Sequence, residues 1–149
     1  MFHMIIEQTY NYPKRMIYQP ATHNFIESEY KSLFYERGFT GPYGWIKESG
    51  TPPAKHLDCL LMPEPISGPN KSYELGTELE VKVIGVFKRN DFDHKYVVVE
   101  TSRDISDISE LADTEILELH KLYPHIREGE GWFGRDIAMH CMEHHKKAL

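Results

Sequence analysis

Cysteine is nearly absent from this chain. Cys59 and Cys141 are the only two, and neither belongs to a CxxC pair, which excludes a cysteine-rich zinc framework and a disulfide scaffold. Cys59 lies in an apolar run and is expected to be a small core residue. Long apolar runs are missing too. No stretch approaches the ~20 apolar residues of a membrane helix. The start, MFHMIIEQTY, carries an early acid and lacks a basic region followed by a long apolar segment, so no leader peptide is expected. A reduced, cytoplasmic protein is the expectation. Positive charge is also in deficit, with 17 Lys and Arg against 23 Asp and Glu and a formal charge of −6. That balance, with no basic–aromatic stripe, argues against a nucleic-acid partner. It leaves room for a small anion, because a local cation cluster or a bound metal overrides net charge.

What is present fits one folded domain over residues 1–149, 40% hydrophobic and 12% aromatic, without repeats or low-complexity tracts. The first two-thirds read as strands. HMIIEQT, RMIYQ, NFIES and SLFYE are short, rich in Ile, Tyr and Phe, and punctuated by Pro13, Pro20 and Asn24. LDCLLM (57–62) is a buried-strand candidate between prolines, and 63–76 is a turn-rich loop. TELEVKVIGVFKR (77–89) and KYVVVE (95–100) are dominated by β-branched residues. The last third changes period. DTEILELHKLY places Ile116, Leu119, Leu122 and Tyr123 at helical spacing, with Asp113 or Thr114 as N-cap. GRDIAMHCMEHHKKAL is a second helix, on which Ile137, Cys141 and His144 or His145 are expected to share a face. Its lysine-rich end suits the helix dipole. The expected class is α+β, a β-barrel or strongly curled sheet with helices outside.

Three stretches carry candidate chemistry. The turn between the two strongest strands holds Asp91, Asp93 and Lys95. In extended chain these alternate positions point to one side, so two carboxylates and an ammonium can share a cavity. Carboxylates suit Mg²⁺, which recruits phosphate oxygens as further ligands, and a lysine neutralises the same phosphate. The plain alternative is a solvated hairpin tip. Asp58 sits inside HLDCLLM, where a lone charge is costly unless paired or metal-bound; otherwise it is an edge residue facing water. Tyr43, in GPYGWI, opens a strand beside Gly44, and its phenol can donate to a phosphate oxygen; otherwise it packs on the barrel rim. Further candidates are Glu48, His56 and His94. Alternation along a strand lets only one residue of His56 and Asp58, and one of His94 and its flanking acids, face the site. His140 and His144, one helical turn apart, can chelate a transition metal or form a solvated helix end.

Taken in order, PYGWI, KHLDCLLM, VIGVFKRNDFDHKYVVV and ELHKLYPHIREGEGW resemble the soluble, family I inorganic pyrophosphatases over about residues 4–140. The resemblance implies a five-stranded, OB-like β-barrel with flanking C-terminal α-helices. It implies Mg²⁺-dependent hydrolysis of pyrophosphate to two phosphates and assembly as a homo-oligomer. Carried over residue by residue, it makes Asp58, Asp91 and Asp93 the metal ligands. Asp58, Asp91 and Lys95 become catalytic, and Tyr43, Lys95 and Tyr123 surround phosphate, with Arg15 or Lys14 as an early cation. The chain departs from the pattern in places. PPAK stands where the first two acids of the family's DGDPxD-type run fall, Phe92 replaces an acid, and Pro124 replaces a lysine. Two other readings follow from the missing acids: a relative that binds a phosphorylated ligand without turnover, and a hydrolase of another phosphate compound, using Lys55 and His56 as anion contacts.

Overall fold

A computed structural model of the chain describes residues 1–64 and 73–148. In chain order the elements are β1 (Phe2–Gln8), β2 (Lys14–Gln19), β3 (Asn24–Lys31), α1 (Leu33–Glu36), β4 (Tyr43–Ile46), β5 (Asp58–Leu61), β6 (Glu78–Lys88), β7 (Lys95–Glu100), α2 (Asp113–Leu122), β8 (Gly131–Gly134) and α3 (Arg135–Ala148). Most of the turn-rich loop expected at 63–76 lies outside the described residues, as do the side chains at the lysine-rich end of α3.

Five strands close on themselves. The order β1–β4–β5–β7–β6 is completed by pairing of β6 back onto β1. The β5–β7 pair is parallel and the other four barrel pairs are antiparallel. This is the OB-like barrel expected from the sequence. Closure needs β6 to be long: its first residues pair with β1, while Gly85 to Lys88 pair with β8. β2 and β3 form a separate hairpin.

Period-two alternation splits the barrel strands into two buried faces. One cluster gathers Met4, Ile6, Ile46, Cys59, Leu61, Val81, Tyr96 and Val98 from all five barrel strands, with Ala138 and Met142 of α3. This is the barrel interior. The other joins Leu60, Ile84, Val97 and Val99 to Leu119 and Leu122 of α2. Because α2 covers the outer face, all of residues 95–99 in β7 are buried, which is why that segment reads as a continuous apolar run. Gly44 permits the β1–β4 contact, since a Cβ there would meet the Ile5 carbonyl oxygen at 1.9 Å.

Two local expectations are corrected. SLFYE is not a strand: Ser32 Oγ accepts from the Tyr35 amide at 3.4 Å and caps the short helix α1. The N-cap position of α2 is Ala112, and Glu115 supplies the capping by accepting from its amide at 3.2 Å. α3 packs through Ala138 and Met142, with Met139 and Cys141 partly buried beside them, and Ile137 is 40% exposed. β8 was not anticipated; its two glycines weaken the strand signal. Cys59 is fully buried, as expected.

Candidate functional site

The parallel pairing of β5 with β7 sets Asp58 directly opposite Lys95. Both belong to the outward parity of their strands, with Leu60 and Val97, but they stand at the strand starts, before α2 covers that face. β4 adds Tyr43, opposite Leu60. Thus three residues far apart in sequence meet because register and pleat leave them no other side. The Lys95 ammonium donates to Asp58 Oδ2 at 2.8 Å, to Asp93 Oδ2 at 3.1 Å and to the Tyr43 hydroxyl at 3.3 Å. His56 Nε2 lies 3.0 Å from Asp58 Oδ1. Lys95 and Asp58 are 8% and 14% exposed, whereas Asp93 is 56% exposed. The inner pair is therefore sheltered, and the outer carboxylate can be exchanged for another anion.

These contacts form one wall of a cavity of about 780 Å³. Arg15 and Arg89 add cations to it, and the β2–β3 hairpin folds over the opposite side. Tyr123, at the end of α2, is stacked on Phe87 with ring centroids 4.3 Å apart. The Arg37 and Arg89 guanidiniums lie 6.0 and 5.8 Å from its ring centre. Aromatic and cationic contacts thus hold that phenol at the cavity edge.

Charge state follows from these contacts. Burial acts to raise the Asp58 pKa, but the His56 hydrogen bond and the charge and hydrogen bond of Lys95 hold it well below the usual carboxylate range. Burial acts to lower that of Lys95, and Asp58 and Asp93 more than offset it, so the ammonium persists. The hydrogen bond to Asp58 raises His56. Burial and the nearby Asp58 charge push the Tyr43 phenol up, so it remains a proton donor. Glu7 behaves oppositely to Asp58: burial, then the Asp58 charge, lifts it from 4.5 to about 7.

Of the residues singled out from the sequence, Tyr43, Asp58, Asp93, Lys95, Tyr123 and Arg15 line the cavity together with His56, while Lys14 and Lys55 are outside the lining. Asp91 also lies outside it. Its Oδ1 accepts from the Asp93 amide at 3.0 Å and its Oδ2 from Arg89 at 3.0 Å. Asp91 therefore shapes the turn that presents Asp93 and Arg89. His94 turns away and accepts from the Arg89 amide at 2.9 Å. Glu48 pairs with His3 at 2.7 Å. The expectation that His56 and Asp58 oppose each other is corrected, since they are two residues apart and face the same side. His140 and His144 sit on the exposed face of α3 with their Nε2 atoms 3.1 Å apart. Sequence reading missed Glu7 and Arg89. The available signal for Glu7 was an acid within the Ile-rich strand HMIIEQT, the same kind of signal that marked Asp58.

The donor set does not fit a resident multi-metal centre. Among the described residues, no group of three or more His, Cys, Asp or Glu side chains is placed to hold a metal ion. Asp58 has one oxygen on His56 and the other on Lys95. Pro52 and Pro53 line the wall where the resemblance would put the first acids.

No protein-family profile and no curated protein sequence matches the chain. Solved structures do. An inorganic pyrophosphatase from Neisseria gonorrhoeae superposes with a TM-score of 0.66 at 19% identity, over 97% of this chain and 84% of that one. A protein from Anaplasma phagocytophilum described as an inorganic phosphatase gives 0.70 at 15% identity, over 95% and 88%. The inorganic pyrophosphatase of Thermus thermophilus gives 0.63 at 19% identity, over 97% and 90%. Among the described residues no helix is long and apolar enough to cross a membrane. At these identities the likeness is one of architecture, and it is nearly end to end: this chain has the fold of the bacterial inorganic pyrophosphatases.

Proposed function

We propose that the cavity binds a small phosphorylated ligand and hydrolyses its phosphoanhydride bond, with pyrophosphate, as its magnesium complex, the first substrate. The observation that carries this reading is the convergence of Tyr43, Asp58, Asp93 and Lys95 from separate elements at one cavity wall. Lys95 keeps its buried bond to Asp58 and exchanges the exposed Asp93 for a phosphoryl oxygen. Tyr43 donates a second hydrogen bond, and Arg15, Arg89 and Tyr123 surround the rest. Such chemistry is mostly positioning and charge compensation. Mg²⁺ enters as the counter-ion of the pyrophosphate. Glu7 is the cavity acid tuned near neutrality, so it is the group suited to take the proton of an attacking water. The water oxygen bonds to one phosphorus, the bridging oxygen leaves with the other phosphate, and the proton passes to Glu7. Homo-oligomeric assembly and a cytoplasmic location, both implied by the resemblance, belong to the same proposal.

The test is phosphate release from magnesium pyrophosphate across pH. The rate rises as pH passes through about 7, where Glu7 loses its proton. Glu7→Gln lowers the rate by about 100-fold or more and removes that rise. The same variant is more stable above neutral pH. A carboxyl whose folded pKa is raised favours the fold while protonated, so wild-type stability declines from pH ~4.5 to ~7 and then levels. Removing this penalty gains on the order of 2 kcal/mol at pH 8, allowing for partial exposure. Unchanged turnover and an unchanged melting curve would remove Glu7 from the site. Asp91→Ala changes the rate by less than about fivefold, because it breaks a surface pair; a loss near that of Glu7→Gln would put Asp91 at the ligand.

A second reading, ligand binding without turnover, is favoured by one observation: both Asp58 oxygens are already engaged, and Pro52 and Pro53 form the adjoining wall. Calorimetric binding of pyrophosphate with no phosphate release would select it.

A further inference from the structure

The cavity is larger and less polar than a bare diphosphate requires. Its volume of about 780 Å³ lies within the ~300–1,000 Å³ range of sites for organic ligands, and pyrophosphate, which has no carbon, fills a small part of it. Its lining mixes charged and apolar side chains. Lys95, Asp58, Asp93, Arg89 and His56 line it with Arg15 of the β2–β3 hairpin, and Ile17, Tyr30, Leu33, Phe34, Pro52 and Pro53 also line it. Several of these apolar groups are uncovered: Tyr30 is 68% exposed, Ile17 39% and Leu33 38%. Exposed apolar side chains within a concave site mark a place for an apolar body. The tyrosines and Gln19 among them suit a flat heteroaromatic with hydrogen-bonding edges better than an aliphatic chain.

We propose that the ligand of this cavity is a nucleoside diphosphate, its diphosphate at Lys95 and its base against Tyr30 and Leu33. The inference rests on the phosphate-binding reading above. Calorimetry with the magnesium complexes of ADP, GDP, CDP and UDP, compared with magnesium pyrophosphate and a prenyl diphosphate, tests it. At least one nucleoside diphosphate binds about tenfold or more tightly than pyrophosphate, the gain expected from stacking one base. Tyr30→Ser with Leu33→Ser, checked for folding by circular dichroism, abolishes that gain and leaves pyrophosphate binding unchanged. Tyr30→Phe, which keeps the ring, retains it. Pyrophosphate binding as tightly as every nucleoside diphosphate overturns the inference while leaving the phosphate reading intact. Tighter binding of the prenyl diphosphate also overturns it. Binding of none of these compounds removes both readings.

Discussion

Lys95→Met lowers affinity for magnesium pyrophosphate by at least about 100-fold, measured by calorimetry, and lowers phosphate release at least as much. The size follows from what the ammonium holds apart. Lys95 is 8% exposed and bonds Asp58, Asp93 and Tyr43 at once. Truncating one partner of a sheltered, hydrogen-bonded charge pair costs about 2–5 kcal/mol, most of it from the charge left behind. In this cavity that charge is Asp58, an anion facing the phosphate, so the variant loses an attraction and gains a repulsion. Lys95→Arg does not restore binding, because a planar guanidinium cannot direct three hydrogen bonds to the places a compact ammonium reaches. Asp58 would also titrate higher in Lys95→Met, since charge and hydrogen bonding from Lys95 help to depress it. In the wild type, stability from Asp58 is present above the ordinary aspartate pKa and is lost progressively as pH falls from there through its depressed folded pKa. In Lys95→Met that contribution is smaller, because the folded pKa of Asp58 moves towards its unfolded value. Wild-type affinity in Lys95→Met would refute the phosphate site as placed here.

Arg103→Ala destabilises the fold by about 3–5 kcal/mol, read from denaturant or thermal unfolding. The loop after β7 buries Arg103, and its Nη1 and Nη2 donate to Glu115 at 2.8 and 2.7 Å. Nη1 also reaches the carbonyl oxygens of Met62 and Pro63, at 3.2 and 3.4 Å. The two residues are 8% and 6% exposed, so the variant strands a carboxylate in the interior. Against a typical domain stability of about 5–15 kcal/mol the loss is large, and for a chain of this size it lowers Tm by roughly 10–15 °C. Replacing both partners by apolar residues, Arg103→Met with Glu115→Leu, recovers most of it, because no buried charge remains. The consequence reaches the cavity. Glu115 joins α2 to the loop after β7 and caps its first turn, and α2 ends at Tyr123. Arg103→Ala therefore also weakens ligand binding at temperatures where it stays folded. A melting point within about 2 °C of wild type would contradict this account.

The strands that close the barrel were legible because their patterns are local. Val97, Val98 and Val99 announce β7 whatever packs on it. Asp58 was legible as an acid in an apolar strand, and Lys95 as an ammonium at a strand start. Glu7 gives the same signal as Asp58, but its meaning depends on the β2–β3 hairpin, which lines the same cavity. Asp91 and Asp93 look equivalent in sequence, yet they differ in role. Phe92 between them adopts a left-handed backbone conformation, φ 65°, which breaks the strand alternation that made the two acids neighbours on one face. His56 shows the reverse case, where simple parity with Asp58 held.

The sequence by itself determined the closing strands, the helices α2 and α3 though not α1 or β8, and the residue types needed to meet a phosphate: an ammonium, phenols and acids. These follow from periodicity and propensity over a few residues. Only the tertiary structure decided which acids face the ligand, that Asp58 is already paired on both oxygens, and that an apolar wall completes the cavity. Those outcomes depend on strand register, on one turn's dihedral angles and on a hairpin packing across the barrel. They are relations between residues distant in sequence, and no local pattern carries them.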